Sequence, residues 1–125
     1  MLGFRSGLEV RVAAELETAI GKPVPYETLT IPYNKPARTS KYTPDFQLPN
    51  GIIVETKGRF LTADRQKHLL VKAQHPHLDI RFVFTNPNAR ISKTSTTTYA
   101  AWCEKNKFMY AKGSVPFAWI AEGTS

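Results

Sequence analysis

The sequence predicts a layered α/β domain with a mixed β-sheet. Three observations carry this. Apolar residues recur every fourth position near the start, β-type runs and helical stretches then follow one another, and 125 residues suit one domain with one substantial core.

Phe4, Leu8, Val12, Leu16 and Ile20, with Ala13 alongside, mark an amphipathic first helix. Gly21 ends it, and Pro23 and Pro25 forbid its continuation. Tyr26 to Ile31 reads as a strand. Residues 32–40 are polar and interrupted by Pro32 and Pro36, which suits an extended connector better than a tight turn. Two β-type runs then flank Pro49-Asn50-Gly51, a three-residue hairpin loop with Gly in the left-handed last position. Thr62 reads as the N-cap of a helix through Gln74, with Leu69, Leu70 and Ala73 inward. Asp79 to Phe84 is a core strand, closed by the Asn86-Pro87-Asn88 turn. Thr97 or Thr98 begins a helix through Asn106 that contains Trp102. A short segment near Phe108-Met109-Tyr110 and a last turn from Pro116 to Ile120 complete the order. No internal repeat or low-complexity stretch interrupts it.

The charge balance is basic: 17 Lys and Arg against 10 Asp and Glu, a net +7 and a pI near 9.7. Such a surplus favours a polyanionic partner, nucleic acid above all. An acidic membrane is the rival partner, yet neither a long apolar segment nor a basic amphipathic helix supports it. A single cysteine, Cys103, rules out an internal disulfide, fits a reducing cytosol and reads as a small core residue. The start of the chain lacks an apolar signal stretch, so no export is expected.

The chemistry concentrates between Pro44 and Lys57. The hairpin loop pairs Leu48 with Ile52, and counting back along both strands sets Asp45 opposite Glu55, Cβ atoms roughly 5 Å apart. Lys57 shares that face. Two carboxylates so close repel unless a cation lies between them. Oxygen donors without His or Cys suit Mg²⁺ or Mn²⁺ rather than Zn²⁺. The plainer reading is a solvated strand pair with surface charges. Ile52-Ile53-Val54 weakens it, because an apolar run marks a strand covered on both faces. Lys57 is either a strand-end lysine or a charge for a pentavalent phosphate, and Gly58 permits close approach of a DNA backbone.

Other candidates carry two readings each. Glu9 closes a capping box with Ser6 or acts as a third acidic ligand, and composition favours the cap. Arg65, Lys67 and Lys72 form a solvated helix face or grip phosphates. The spacing of His75-Pro76-His77 suits no standard metal site, so these histidines, with His68, read as features of a helix end.

At these residues the chain resembles the bacteriophage endonuclease I family of Holliday-junction resolvases, within the PD-(D/E)XK nuclease superfamily. The family-like stretches are Phe4-Arg5-Ser6-Gly7-Leu8-Glu9, Tyr42-Thr43-Pro44-Asp45-Phe46, Leu48-Pro49-Asn50-Gly51-Ile52 and Val54-Glu55-Thr56-Lys57-Gly58. Lys67-His68-Leu69-Leu70, Gln74-His75-Pro76, Leu78-Asp79-Ile80-Arg81 and Pro116-Phe117-Ala118-Trp119-Ile120 extend the likeness along nearly the whole chain. The resemblance implies a restriction-endonuclease-like fold, a central mixed sheet flanked by helices, in a domain-swapped homodimer whose chains cross at 32–40. It implies catalytic roles for Glu9, Asp45, Glu55 and Lys57, so that Glu9 serves the site whether or not it also caps. Two Mg²⁺ ions per site are implied, with Mn²⁺ able to substitute. Asp45 would bridge them, Glu55 and the Thr56 carbonyl would hold one, and Glu9 the other. Branched DNA is the implied substrate, a four-way junction resolved by paired nicks through metal-activated water, with Arg5, Arg65, Lys67 and Lys72 as candidate DNA contacts. The implied setting is the host cytoplasm, away from membranes. The N-terminal extension and basic tail of the family have no counterpart in this sequence, and weaker DNA affinity is the expectation. The alternatives are a restriction- or repair-type nuclease of this fold, for which the length leaves little room for a base-reading insertion, and a non-catalytic basic DNA-binding module.

Overall fold

A computed structural model describes residues 7–35 and 38–122. The first helix, α1, spans Gly7–Ile20 and buries Glu9, Val12 and Leu16 along one stripe. Gly21 ends it as expected, with φ at +90° and its amide donating to the Glu17 carbonyl at 2.8 Å.

The expected strand from Tyr26 to Ile31 does not form. Tyr26 makes one isolated bridge, to Phe46. Glu27 then adopts φ +53°, which breaks the extended backbone, and its amide donates to the Asp45 carbonyl at 3.0 Å.

The expected connector at 32–40 is also different. Strands β1 (Ile31–Lys35) and β2 (Arg38–Tyr42) pair antiparallel, Ile31 opposite Tyr42 and Lys35 opposite Arg38. Ile31, Tyr33 and Tyr42 are buried and give this two-stranded ribbon its apolar side. Pro32 is tolerated because such a ribbon has free edges.

Strands β3 (Phe46–Gln47), β4 (Ile53–Lys57), β5 (Ile80–Phe84) and β6 (Met109–Lys112) form the central sheet in that order. The first pair is antiparallel and the others are parallel, so the sheet is mixed. Phe46 lies opposite Val54 and Gln47 opposite Ile53, and the Leu48 amide donates to the Ile52 carbonyl at 2.8 Å. This is the register expected from the loop. Gly51 turns it at φ +93°.

Each parallel connection runs through a helix: α2 (Thr62–Gln74) between β4 and β5, and α3 (Tyr99–Lys105) between β5 and β6. Helix α4 (Phe117–Ala121) closes the order. Thr98 caps α3, its hydroxyl accepting the Ala101 amide at 3.0 Å. Helix α2 is rotated from expectation: it buries Arg65, His68 and Val71, whereas Leu69 is exposed. Its N-cap is Leu61 rather than Thr62, and Asp64 accepts the Leu61 amide at 3.1 Å. The ribbon docks on its last turn, where Gln74 exchanges hydrogen bonds of 2.6 and 2.7 Å with the Asn34 backbone.

Two apolar layers follow from strand alternation. Ile53, Ile80, Phe82 and Phe84 pack with the ribbon, Val71 of α2 and Trp102 of α3. Val54 and Val83 pack on the other side with Val12 and Leu16 of α1 and Trp119 of α4. The site lies where these layers meet the end of β4.

Candidate active site

Asp45 immediately precedes β3, so the hairpin register carries it to Glu55 on β4. Both are buried, 8% and 3% exposed, and so is Glu9 at 8%. These three acids come from three separate stretches of chain. Glu9 arrives from α1 because it continues the helix stripe of Val12 and Leu16 one turn toward the N-terminus.

Thr56 holds Asp45 in place. Its amide donates to Asp45 Oδ2 at 2.9 Å and its hydroxyl to the same oxygen at 2.8 Å. By alternation Glu55 and Lys57 belong to the α2 side of the sheet and Thr56 to the α1 side. Asp45 thus joins the two layers, clamped by Thr56 and acting on both Glu55 and Glu9.

The electrostatics are those of crowded acids in a dry place. Burial, then the charge of Asp45, pushes the Glu55 carboxyl up from 4.5 to about 8, against the opposing pull of Lys57. Burial also raises Asp45, with Thr56 opposing and Glu9 adding to the rise. The Tyr26 hydroxyl donates to Glu9; burial, with that bond, raises the phenol far above its usual range. Tyr42 lies beside Glu55, its buried hydroxyl outside hydrogen-bond geometry. The Lys57 ammonium stands 3.4 Å from Asp64 Oδ1, with a fifth or less of its side chain exposed.

Among the described residues no three acidic, His or Cys side chains gather tightly enough to hold a metal ion by themselves. Asp45 and Glu55 form a sparser set of hard oxygen donors. That set fits Mg²⁺, which keeps several waters and takes only one or two carboxylates together with substrate phosphate.

The sequence matches the Phage endonuclease I family over residues 1–125. It is 49% identical over 119 residues to Endonuclease I of Escherichia phage T7, covering 95% of this chain and 79% of that protein. It is 48% identical over 119 residues to Endodeoxyribonuclease 1 of Enterobacteria phage T3, covering 95% and 78%. The chain belongs to the phage endonuclease I family. It is therefore an endonuclease, and the acids beside Lys57 are its candidate catalytic centre.

The basic residues of this endonuclease divide sharply by surroundings. Arg65, expected on a DNA-facing surface, is buried instead, and its guanidinium donates to the Phe60 carbonyl and the Thr62 hydroxyl. The α2 face that carries Arg65 and His68 packs against aromatic rings such as Phe82, which leaves the guanidinium only local oxygens to satisfy it. Lys72 lies 4.3 Å over the Phe108 ring and donates to the Lys107 carbonyl. Lys67 stands 5.9 Å over Tyr42. Arg5, and the Ser6 half of the expected capping box, fall outside the described residues. His68 is no helix-end residue: it is fully buried inside α2, edge-on to Phe82 at 4.8 Å. His75 does cap α2, its Nε2 meeting the Pro32 carbonyl at 2.7 Å.

Four residues of the candidate site escaped sequence reasoning: Tyr26, Tyr42, the Thr56 side chain and Asp64. Only Asp64 carries a local signal, an acid in the first turn of a helix.

Proposed function

We propose that this endonuclease is a structure-selective endodeoxyribonuclease that resolves four-way DNA junctions by paired nicking. One observation carries the hydrolytic centre: Asp45 and Glu55 are buried side by side, with Glu55 raised to about 8. Asp45, Glu55, the Thr56 carbonyl and Glu9 would hold two divalent cations, Mg²⁺ with Mn²⁺ as substitute. When bound, these supply Lewis acidity, a water ionised near neutral pH and positive charge at the leaving oxygen.

The chain's own residues do the rest. Thr56 fixes Asp45 in one orientation through two hydrogen bonds, so no reorganisation is needed on binding. Lys57 offers its ammonium to the charge that grows on the scissile phosphate, and Asp64 keeps it near the sheet end in the absence of DNA. The buried walls around Glu55 exclude bulk water and strengthen each of these charges.

Paired nicks require two centres, so the active form is a homodimer. In the domain-swapped arrangement its chains cross at the segment containing β1 and β2, and exchange of an element keeps every contact while changing which chain supplies it. Shape, rather than base sequence, would set specificity. Host cytoplasm is the proposed setting, and among the described residues no helix is long and apolar enough to cross a membrane.

The test is cleavage of a four-way junction against linear duplex, with and without Mg²⁺, for the native chain and for Asp45→Ala, Glu55→Ala and Lys57→Ala. Cation-dependent cutting of the junction, abolished in each variant while junction binding survives, is expected. Variants that cut at the native rate would remove the assigned centre, and equal cutting of both DNAs would favour a repair-type nuclease.

A further inference from the structure

The cations behind the net charge of +7 differ in their surroundings. Three cations on β4 and α2 are engaged internally: Lys57 with Asp64, Arg65 with Phe60 and Thr62, Lys72 with Lys107 and Phe108. Arg59, Arg90 and Lys93 differ. They are exposed, form no ion pair among the described residues, and line one hollow of about 340 Å³ with Ser92 and Tyr99. No acidic side chain lines it.

Both walls of the hollow begin at the end of the sheet that carries Lys57. One wall, from Arg59 to Leu61, leaves β4 directly through Gly58. The other follows β5 through Thr85, whose amide donates to the Lys57 carbonyl at 3.2 Å. That second wall is braced: the Ile91 amide donates to Thr97 at 2.8 Å, Tyr99 to Ala89 at 2.9 Å and Ala100 to Pro87 at 2.9 Å. Asp64 ties the two regions, accepting the Leu61 amide with one oxygen and facing Lys57 with the other. The hollow therefore holds a set position relative to the catalytic lysine. Three like charges around one concavity, without a counter-charge, suit an anion, and guanidinium groups suit phosphate in particular. Ligands of parallel sheets bind at the carboxyl ends of strands, which is where this hollow opens.

We propose that the hollow bounded by Arg59, Arg90 and Lys93 is a DNA-phosphate subsite, which grips the backbone beside the scissile phosphate and aims the strand at Lys57. This rests on the DNA-cleaving function proposed above. It moves the phosphate grip from α2 to the loops that follow β4 and β5.

The test measures binding to a four-way junction and to linear duplex across a salt series, without divalent cation so that nothing is cut. The combined Arg59→Ala, Arg90→Ala, Lys93→Ala chain is compared with a charge-matched Lys22→Ala, Lys35→Ala, Lys105→Ala chain. Each lost phosphate contact lowers the slope of log affinity against log salt by roughly one, so the first chain loses about three and the second keeps the native slope. Arg59→Lys with Arg90→Lys restores most of it. Equal slopes for the two triple variants would overturn the subsite, because general charge alone would then explain binding. Melting temperatures check that each variant folds, and single variants carry the comparison where a triple one does not. A native chain with this slope pattern but no junction cleavage would overturn the proposed function and leave the subsite standing. A native chain that binds neither DNA would overturn both.

Discussion

Thr56 donates its amide and its hydroxyl to a single oxygen of Asp45, at 2.9 and 2.8 Å. The residue between Glu55 and Lys57 in the chain thus clamps the third site residue from across the hairpin. One strand of five residues, Ile53–Lys57, supplies two catalytic candidates and the brace for another.

Thr56→Val keeps the shape of the side chain and removes the hydroxyl. Asp45 then keeps only the amide bond. Weaker cation binding is expected, about 10- to 100-fold as for other outer-shell partners, with the backbone fold unchanged. Mg²⁺ titration followed by calorimetry, with circular dichroism as the folding check, measures this. Native affinity in the variant would show that the amide alone sets Asp45.

Glu55 makes the stability of the cation-free protein depend on pH. Its carboxyl is raised from 4.5 to about 8, so its contribution is full below 4.5 and is lost as pH rises through 8. Asp45 is raised as well and acts in the same direction. His68 acts oppositely: burial, then Lys57 and Lys67, lowers it below 6.5, and its contribution is lost as pH falls beneath that value. Between pH 6.5 and 8 the Glu55 effect dominates. The Tm of the cation-free chain should fall across that window, and Glu55→Gln should flatten the fall. Added Mg²⁺ should raise Tm more at the upper end than at the lower. Parallel pH profiles for the native chain and Glu55→Gln would remove Glu55 as the source.

Arg65→Ala should behave as a stability variant. It strips two oxygens, on Phe60 and Thr62, of a buried donor, and a loss of about 1–3 kcal/mol is expected. The salt slope of DNA binding should stay native. A shallower slope with unchanged Tm would return Arg65 to the DNA surface.

Chain crossing is testable with a mixed dimer of Glu9→Ala and Asp45→Ala chains, prepared by co-expression. In a swapped dimer Glu9 and Asp45 of one centre come from different chains, so one centre carries both lesions and the other is intact. The mixed dimer should then nick one strand of a junction. In an unswapped dimer each centre carries one lesion, and a dead mixed dimer from well-folded parents would exclude the swap.

What the sequence alone determined lies within short spans of chain. The α1 stripe of Val12 and Leu16, the Gly21 stop and the Gly51 turn follow from period and backbone conformation. The approach of Asp45 to Glu55 follows too, because loop length sets register and a one-residue slip would turn Leu48 and Ile52 out of the core. Tertiary structure decided what depends on distant partners. Tyr26 meets Glu9 across 17 positions, and Pro32 takes His75 across 43. The pairing of β1 with β2 answers to the apolar side that Ile31, Tyr33 and Tyr42 present to the core, which outweighs the prolines. The inward turn of Arg65 and His68 on α2 answers to the aromatic packing around Phe60 and Phe82. A sequence records that arginines and lysines are many. Only folding selects which of them are absorbed by carbonyls, rings and acids, and which remain facing water for a phosphate.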